Sequence, residues 1–140
     1  MSLVALHRLV RARAHGCCEY CQLPESCSSI PFEIDHIIAR KHNGLTDELN
    51  LALSCWYCNS AKGPCIGGRS QASGEFLRLY NPRQDIWSEH FRWNGGQLVG
   101  LTQIGLVTVQ LLAINEPLLV ELRSSLIEEG VFPPLLPTVP

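Results

Sequence analysis

Apolar residues recur at helical spacing at the start of the chain, at Leu3, Leu6, Leu9 and Val10, with Arg8 and Arg11 between them. That period predicts an amphipathic helix over residues 2–14, closed by Gly16. The pattern then breaks into a Cys-, Pro- and Ser-rich stretch, 17–31, which reads as a knuckle and loop. PFEIDHII at 31–38 has the β-branched content of a strand, and HNGLTDELN at 42–50 is turn-rich. NLALSC at 50–55 predicts a second short apolar strand or the entry into a helix. CWYCNSAKG at 55–63 predicts a short helix stopped by Gly63-Pro64.

Beyond Gly68 the pattern weakens. FRWNGGQLVGL at 91–101 predicts a hairpin turning at Asn94-Gly95-Gly96. Thr102 is placed to cap a helix with Ile104, Val107, Leu111 and Ile114 on one face. Asn115 followed by Glu116-Pro117 marks a further helix start, running with Leu119, Leu122 and Leu126 to Gly130. The Pro-rich tail VFPPLLPTVP is expected to fray. No repeat or clean boundary divides the chain, so the two C-terminal helices are expected to pack on the core or on a second subunit.

Composition narrows the class. The 140 residues suit one domain with a small appendage, and 46% apolar with 17% charged residues are globular values. A formal net charge of −2 announces no nucleic-acid partner by itself. The charge is uneven, however: ten of the eleven Lys and Arg lie at or before Arg92, and only Arg123 lies beyond. The basic clusters His7-Arg8, Arg11 with Arg13, Arg40-Lys41-His42, and Lys62 with Arg69 are singly solvated faces; gathered around one site they suit a polyanion. The first residues show no signal-peptide pattern, and the longest uncharged stretch is broken by Gly, Gln and Thr. The expectation is therefore no membrane span and a reducing, cytoplasmic setting.

Cysteine spacing carries the first chemistry. Cys18-x-x-Cys21 and Cys55-x-x-Cys58 stand 33 residues apart, as two knuckles that can set four thiolates tetrahedrally around a structural Zn²⁺. Such a site contributes on the order of 10 kcal/mol to folding, which a loop-rich region needs. Cys17, Cys27 and Cys65 are left over, with Cys17 a fallback for Cys18. Between the knuckles stand Glu33, Asp35 and His36, then Asn50, with Asn59 directly after Cys58. In a regular strand Asp35 and His36 point to opposite faces, so only a kink or the strand's end lets both serve one site. Singly, Asp35-His36 is a surface hydrogen-bonded pair, and Asn50 and Asn59 are caps of a turn and a helix.

Taken together, the order Asp-His, Asn-Leu, Cys-x-x-Cys-Asn-x-x-Lys resembles the HNH endonuclease family, the zinc-knuckle branch of the ββα-metal nucleases. The resemblance covers roughly residues 15–65 and extends more loosely through PRQDIWSEHFRW to small bacterial HNH proteins. It implies an α+β fold: a ββα-metal core with two zinc knuckles, an N-terminal helix and C-terminal helices. The nuclease domain would span 1–93, with 94–140 a hairpin and helical extension packed on it. It implies that His36 is the general base for in-line attack of water on phosphorus; an imidazole is mostly neutral above about pH 6.5. It further implies that Asp35 holds the catalytic metal and that Asn50 orients His36 and steadies the loop between the strands.

Asn59 stands where many relatives carry the second His of the family's name, and in relatives with Asn there it serves as a metal ligand. An Asp and an amide oxygen suit a hard ion, Mg²⁺ or Mn²⁺. Arg40, Lys41, Lys62 and Arg69 are the candidate phosphate contacts; the alternative for Lys62 is a solvated helix-end lysine, and Glu33 stays open between structural acid and secondary ligand. The implied substrate is DNA, cut to 5′-phosphate and 3′-hydroxyl ends, with a homodimer through the C-terminal helices expected. The alternatives are a non-catalytic zinc-stabilised nucleic-acid-binding module and a plain interaction scaffold.

Overall fold

The computed structural model describes residues 1–137. The first helix, α1 (Leu3–Arg13), starts at Ser2, whose hydroxyl accepts from the Ala5 amide. Its buried stripe is Leu6 and Val10, while Leu3 stays exposed, a narrower face than the periodicity suggests. Chain reversal follows through His15 and Gly16 in the left-handed region.

Strand β1 (Glu33–His36) pairs antiparallel with β2 (Leu51–Ser54), setting Asp35 opposite Ala52 and His36 opposite Leu51. NLALSC is thus a strand, and all four residues of β2 are buried. Its outer edge is satisfied from outside the sheet: Leu53 N donates to Glu19 Oε2 (2.8 Å), Leu53 O accepts from Glu19 N, and Leu51 O accepts from Arg13 Nη2. The first knuckle therefore stands along β2 in place of a third strand and closes that edge. Helix α2 (Trp56–Lys62) begins on Cys55, whose Sγ accepts from Cys58 N, and ends at Gly63 with φ +50°.

Three elements go beyond the sequence reading. Strand β3 (Gly67–Arg69) pairs with β4 (Phe76–Arg78), and α3 (Trp87–His90) is one turn. None carries a periodic signal, being three or four residues long. The hairpin of β5 (Phe91–Asn94) and β6 (Gln97–Gly100) turns at Gly95-Gly96. Helix α4 (Gln103–Leu111) is capped by the Thr102 hydroxyl, but it stops before Ile114, which reaches the core past a left-handed Ala113. Helix α5 (Pro117–Glu128) is capped by Glu116 rather than Asn115. Asn115 has another task, pairing with both Leu98 N and Leu98 O at 2.8 Å and so tying the helices to β6.

The apolar faces of α4 and α5 are directed at the core, where Val107, Leu112, Ile114 and Leu126 join the cluster of α1, β2 and the knuckles. The tail is not simply frayed: Phe132 is buried against Trp93, 5.0 Å between ring centroids. Residues 138–140 of that expectation lie outside the described residues. Among the described residues no helix is long and apolar enough to cross a membrane.

Cys18, Cys21, Cys55 and Cys58 converge, buried, with their sulfurs all within 4.8 Å of one another. Tetrahedral zinc with Zn–S bonds near 2.3 Å requires sulfurs about 3.8 Å apart, and Cys21 Sγ to Cys55 Sγ is 3.7 Å. Burial by itself would raise the Cys18 thiol. Hydrogen bonds from Cys21, Cys55 and Cys58 outweigh it and bring Cys18 well below its ordinary value, while Cys21 and Cys58 are held well above theirs. Four buried sulfurs at this spacing fit Zn²⁺. Cys17 is buried but turned to the His15 carbonyl, outside the set.

Two outcomes are expected. Metal analysis should find one zinc per chain, and Cys58→Ala should lose it together with cooperative unfolding, because the site supplies on the order of 10 kcal/mol. Asn115→Ala should keep its zinc and lower the unfolding free energy by about 1–3 kcal/mol, measured in urea, since Leu98 N and O lose their partner.

Candidate functional site

Asp35, the third residue of β1, turns inward and is 6% exposed. Tyr20, itself 1% exposed between two of the cysteines, donates its hydroxyl to Asp35 Oδ2 at 2.8 Å. Lys62, in the last turn of α2, reaches the same carboxylate at 3.1 Å to Oδ2 and 3.3 Å to Oδ1. The Lys62 ammonium also donates to the His36 carbonyl at 3.0 Å. This corrects the reading of Lys62 as a solvated or phosphate-touching side chain, for it is 1% exposed and points into the protein. An apolar burial site cannot hold an unpaired carboxylate, and Lys62 is what lets Asp35 stand there. Burial pushes the Asp35 carboxyl above its ordinary value, against the pull of Lys62, the Tyr20 hydroxyl and His36.

His36 ends β1 and faces the other way, half-buried. Its Nε2 shares a 2.8 Å hydrogen bond with Thr46 Oγ1. Asn50 makes no bond to the imidazole. Instead its Oδ1 accepts from Ile38 N, and its Nδ2 donates to Ile38 O and Leu45 O, each at 2.9 Å. Asn50 therefore closes the β1–β2 loop, and through Leu45 it fixes the neighbouring Thr46 that meets His36. Gly44 belongs to the same arrangement: a Cβ there would stand 1.7 Å from Ile38 O and 2.9 Å from Asn50 Nδ2.

Because β1 stops at His36, the two neighbours can open onto one place. Asp35, His36, Arg40 and Asn59 all line an open hollow of about 250 Å³, with Ile34, Ala39, Gly63 and Pro64. The Asn59 amide has no hydrogen-bond partner among the described residues and is half-buried. Asp35 Oδ1, touched only by Lys62 at 3.3 Å, keeps a lone pair. One carboxylate oxygen and one carboxamide oxygen fit a hard divalent ion whose remaining ligands are water or phosphate.

Lys41 is exposed in the single turn 40–42 beside Arg40. Arg69 is exposed on β3, its guanidinium over the turn at Gly74, and does not line the hollow. Glu33 is exposed at the start of β1, also outside it.

Sequence reasoning passed over Tyr20, Thr46 and Gly44. Tyr20 had only a weak signal, since a large residue between two knuckle ligands goes inward in one knuckle and outward, as Trp56, in the other. Thr46 had none, because a loop threonine looks the same whether or not it meets an imidazole.

Residues 18–64 match the family model described as HNH endonuclease. No curated protein and no solved structure matches the chain. The matched span runs from the first cysteine of the clip, through β1, the Asn50 loop and β2, to the end of α2, and so takes in every residue around the Asp35 carboxylate. In residues 18–64, then, this chain carries an HNH domain of the HNH endonuclease family.

Proposed function

We propose that the chain is a metal-dependent endonuclease that hydrolyses DNA phosphodiester bonds at the hollow between β1 and α2. The observation that carries this reading is the convergence of Asp35, His36, Arg40 and Asn59 on one open space. His36 is the general base: Nε2 shares its bond with Thr46 Oγ1, and in the tautomer with the proton on Nε2 the lone pair of Nδ1 takes a proton from the attacking water. Asn50 acts at one remove, by holding the loop that carries Thr46. Arg40, with Lys41 next to it, holds the phosphate backbone near the cut. A hard divalent ion, Mg²⁺ or Mn²⁺, held by Asp35 and Asn59, would supply neutralising charge for the phosphoryl and departing 3′ oxygens. One chain offers one such hollow, so each chain cuts one strand at a time.

The Asp35–Lys62 ion pair favours a second reading. It already neutralises the hollow's carboxylate, which suits a zinc-stabilised nucleic-acid-binding module without catalysis. Salt-sensitive DNA binding without cleavage would mark that module.

Supercoiled plasmid separates the two. Mg²⁺-dependent nicking by the native chain is expected, and His36→Ala should keep its zinc and lose on the order of 10²-fold in rate. Cleavage equal in both would remove His36 from its role, and no cleavage in either would select the binding module. Activity in Mg²⁺ or Mn²⁺ should exceed that in Ni²⁺; the reverse order would overturn Asn59 as ligand. Thr46→Val should slow nicking about tenfold through loss of one hydrogen bond, and Thr46→Ser should restore it.

A further inference from the structure

A second cavity, a cleft of about 700 Å³, opens between the end of α1, the first knuckle and the segment before α3. Two of its polar walls are unfinished. Tyr80 is 4% exposed, yet its hydroxyl has no hydrogen-bond partner among the described residues. Tyr80 lines the cleft; its ring is buried, while its hydroxyl tip reaches solvent.

The second unfinished wall is Arg13. Both acids of the cleft are already paired, Glu19 with Arg83 and Asp85 with Arg78. Arg13 has no carboxylate within ion-pairing distance among the described residues, and its Nε finds no acceptor. Among the described residues Arg13 is thus the one charged side chain lining the cleft that makes no ion pair. Apolar lining comes from Trp87, Pro82, Ile86, Leu136 and Pro137, and the indole is fixed edge-in by donating to Tyr20 O at 2.8 Å.

An anion for Arg13, a hydrogen-bonding edge for Tyr80 and a flat body against Trp87 describe one kind of ligand. We infer that this cleft is a nucleotide-binding site, taking the phosphate at Arg13 and the base between Tyr80 and Trp87. Its volume suits a ligand of that size. The nucleotide is either free or one unit of a nucleic-acid strand. Arg13 Nη2 also bonds Leu51 O, and Leu51 pairs with His36, so the cleft adjoins the far edge of the ladder that holds the catalytic hollow. The inference does not rest on cleavage.

Calorimetry on the full zinc-loaded chain, without added divalent ion, tests it. The probes are the four deoxynucleoside monophosphates, deoxyadenosine, inorganic phosphate and a short single-stranded oligonucleotide. Saturable binding of a monophosphate is expected, with the nucleoside about tenfold weaker for want of a charge-assisted bond. Tyr80→Phe should weaken it about five- to tenfold with zinc content and melting unchanged, since the lost hydroxyl has no partner in the protein. Arg13→Gln should erase the difference between nucleotide and nucleoside.

Tighter binding of the oligonucleotide, equally reduced by Tyr80→Phe, would assign the site to a strand; tighter binding of the monophosphate would assign it to the free nucleotide. Absence of saturable heat from all these probes, an unchanged affinity in Tyr80→Phe, or phosphate alone binding as tightly as the nucleotide would each overturn the inference.

Discussion

The closure of Cys18 and Cys21 onto Cys55 and Cys58 is the constraint on which the rest depends, because each knuckle carries one of the two side chains that hold Asp35. Tyr20 lies between the ligands of the first knuckle, and Lys62 follows the second on α2. Glu19, also inside the first knuckle, is hydrogen-bonded along the edge of β2. Bringing four sulfurs together therefore does more than staple a small loop-rich region. It sets the register of the first knuckle against the strand pair and delivers a hydroxyl and an ammonium to one carboxylate.

That carboxylate is the electrostatic centre of the domain. Asp35 is buried beside an equally buried Lys62, and a buried pair that loses one partner leaves a charge worth about 3–5 kcal/mol of instability. The pair also ties α2 to β1, since the same ammonium bonds the His36 carbonyl. His36 is thus held twice: at its backbone by Lys62, and at its ring by Thr46, whose loop is closed by Asn50. The side chains open to the hollow, Asn59 and Arg40, stand outside this internally neutral group and remain available to a ligand.

Much of this was legible in the residues. The two Cys-x-x-Cys spacings marked the clip, and the β-branched run at 31–38 marked the first strand, while 50–55 stood open between a strand and a helix entry until the pairing with β1 decided it. The Asn94-Gly95-Gly96 turn marked the hairpin, because glycine at positive φ is what such a turn demands. What stayed hidden depended on partners distant in sequence. Lys62 ends a short helix and looks solvated; only the fold reveals an acid 27 residues earlier at its tip. Asn115 before Glu116-Pro117 looks like a cap, yet Leu98 offers it a better use, and Glu116 takes over the helix start. Strands β3 and β4 are stabilised by their pairing and by packing under α4, not by their own propensities, so Gly67-Gly68-Arg69 gave no sign of being one.

Arg123 brings the two halves of the chain together. It is the only Lys or Arg beyond Arg92, and it is buried with Nε on Gly96 O and Nη2 on Ile114 O, its guanidinium 5.2 Å from the Trp93 ring. It shares a small cavity with Cys21, Cys55 and Cys58, and their charges act on it in return. Four thiolates around a divalent ion leave two surplus negative charges. Arg123 stands as a single counter-charge beside the clip, in an extension that otherwise carries four glutamates. An HNH segment cut free of residues 94–140 would lose the cation set beside its clip, and with it the cover that Ile114, Leu119 and Leu122 give to Cys21, Cys55 and Cys58.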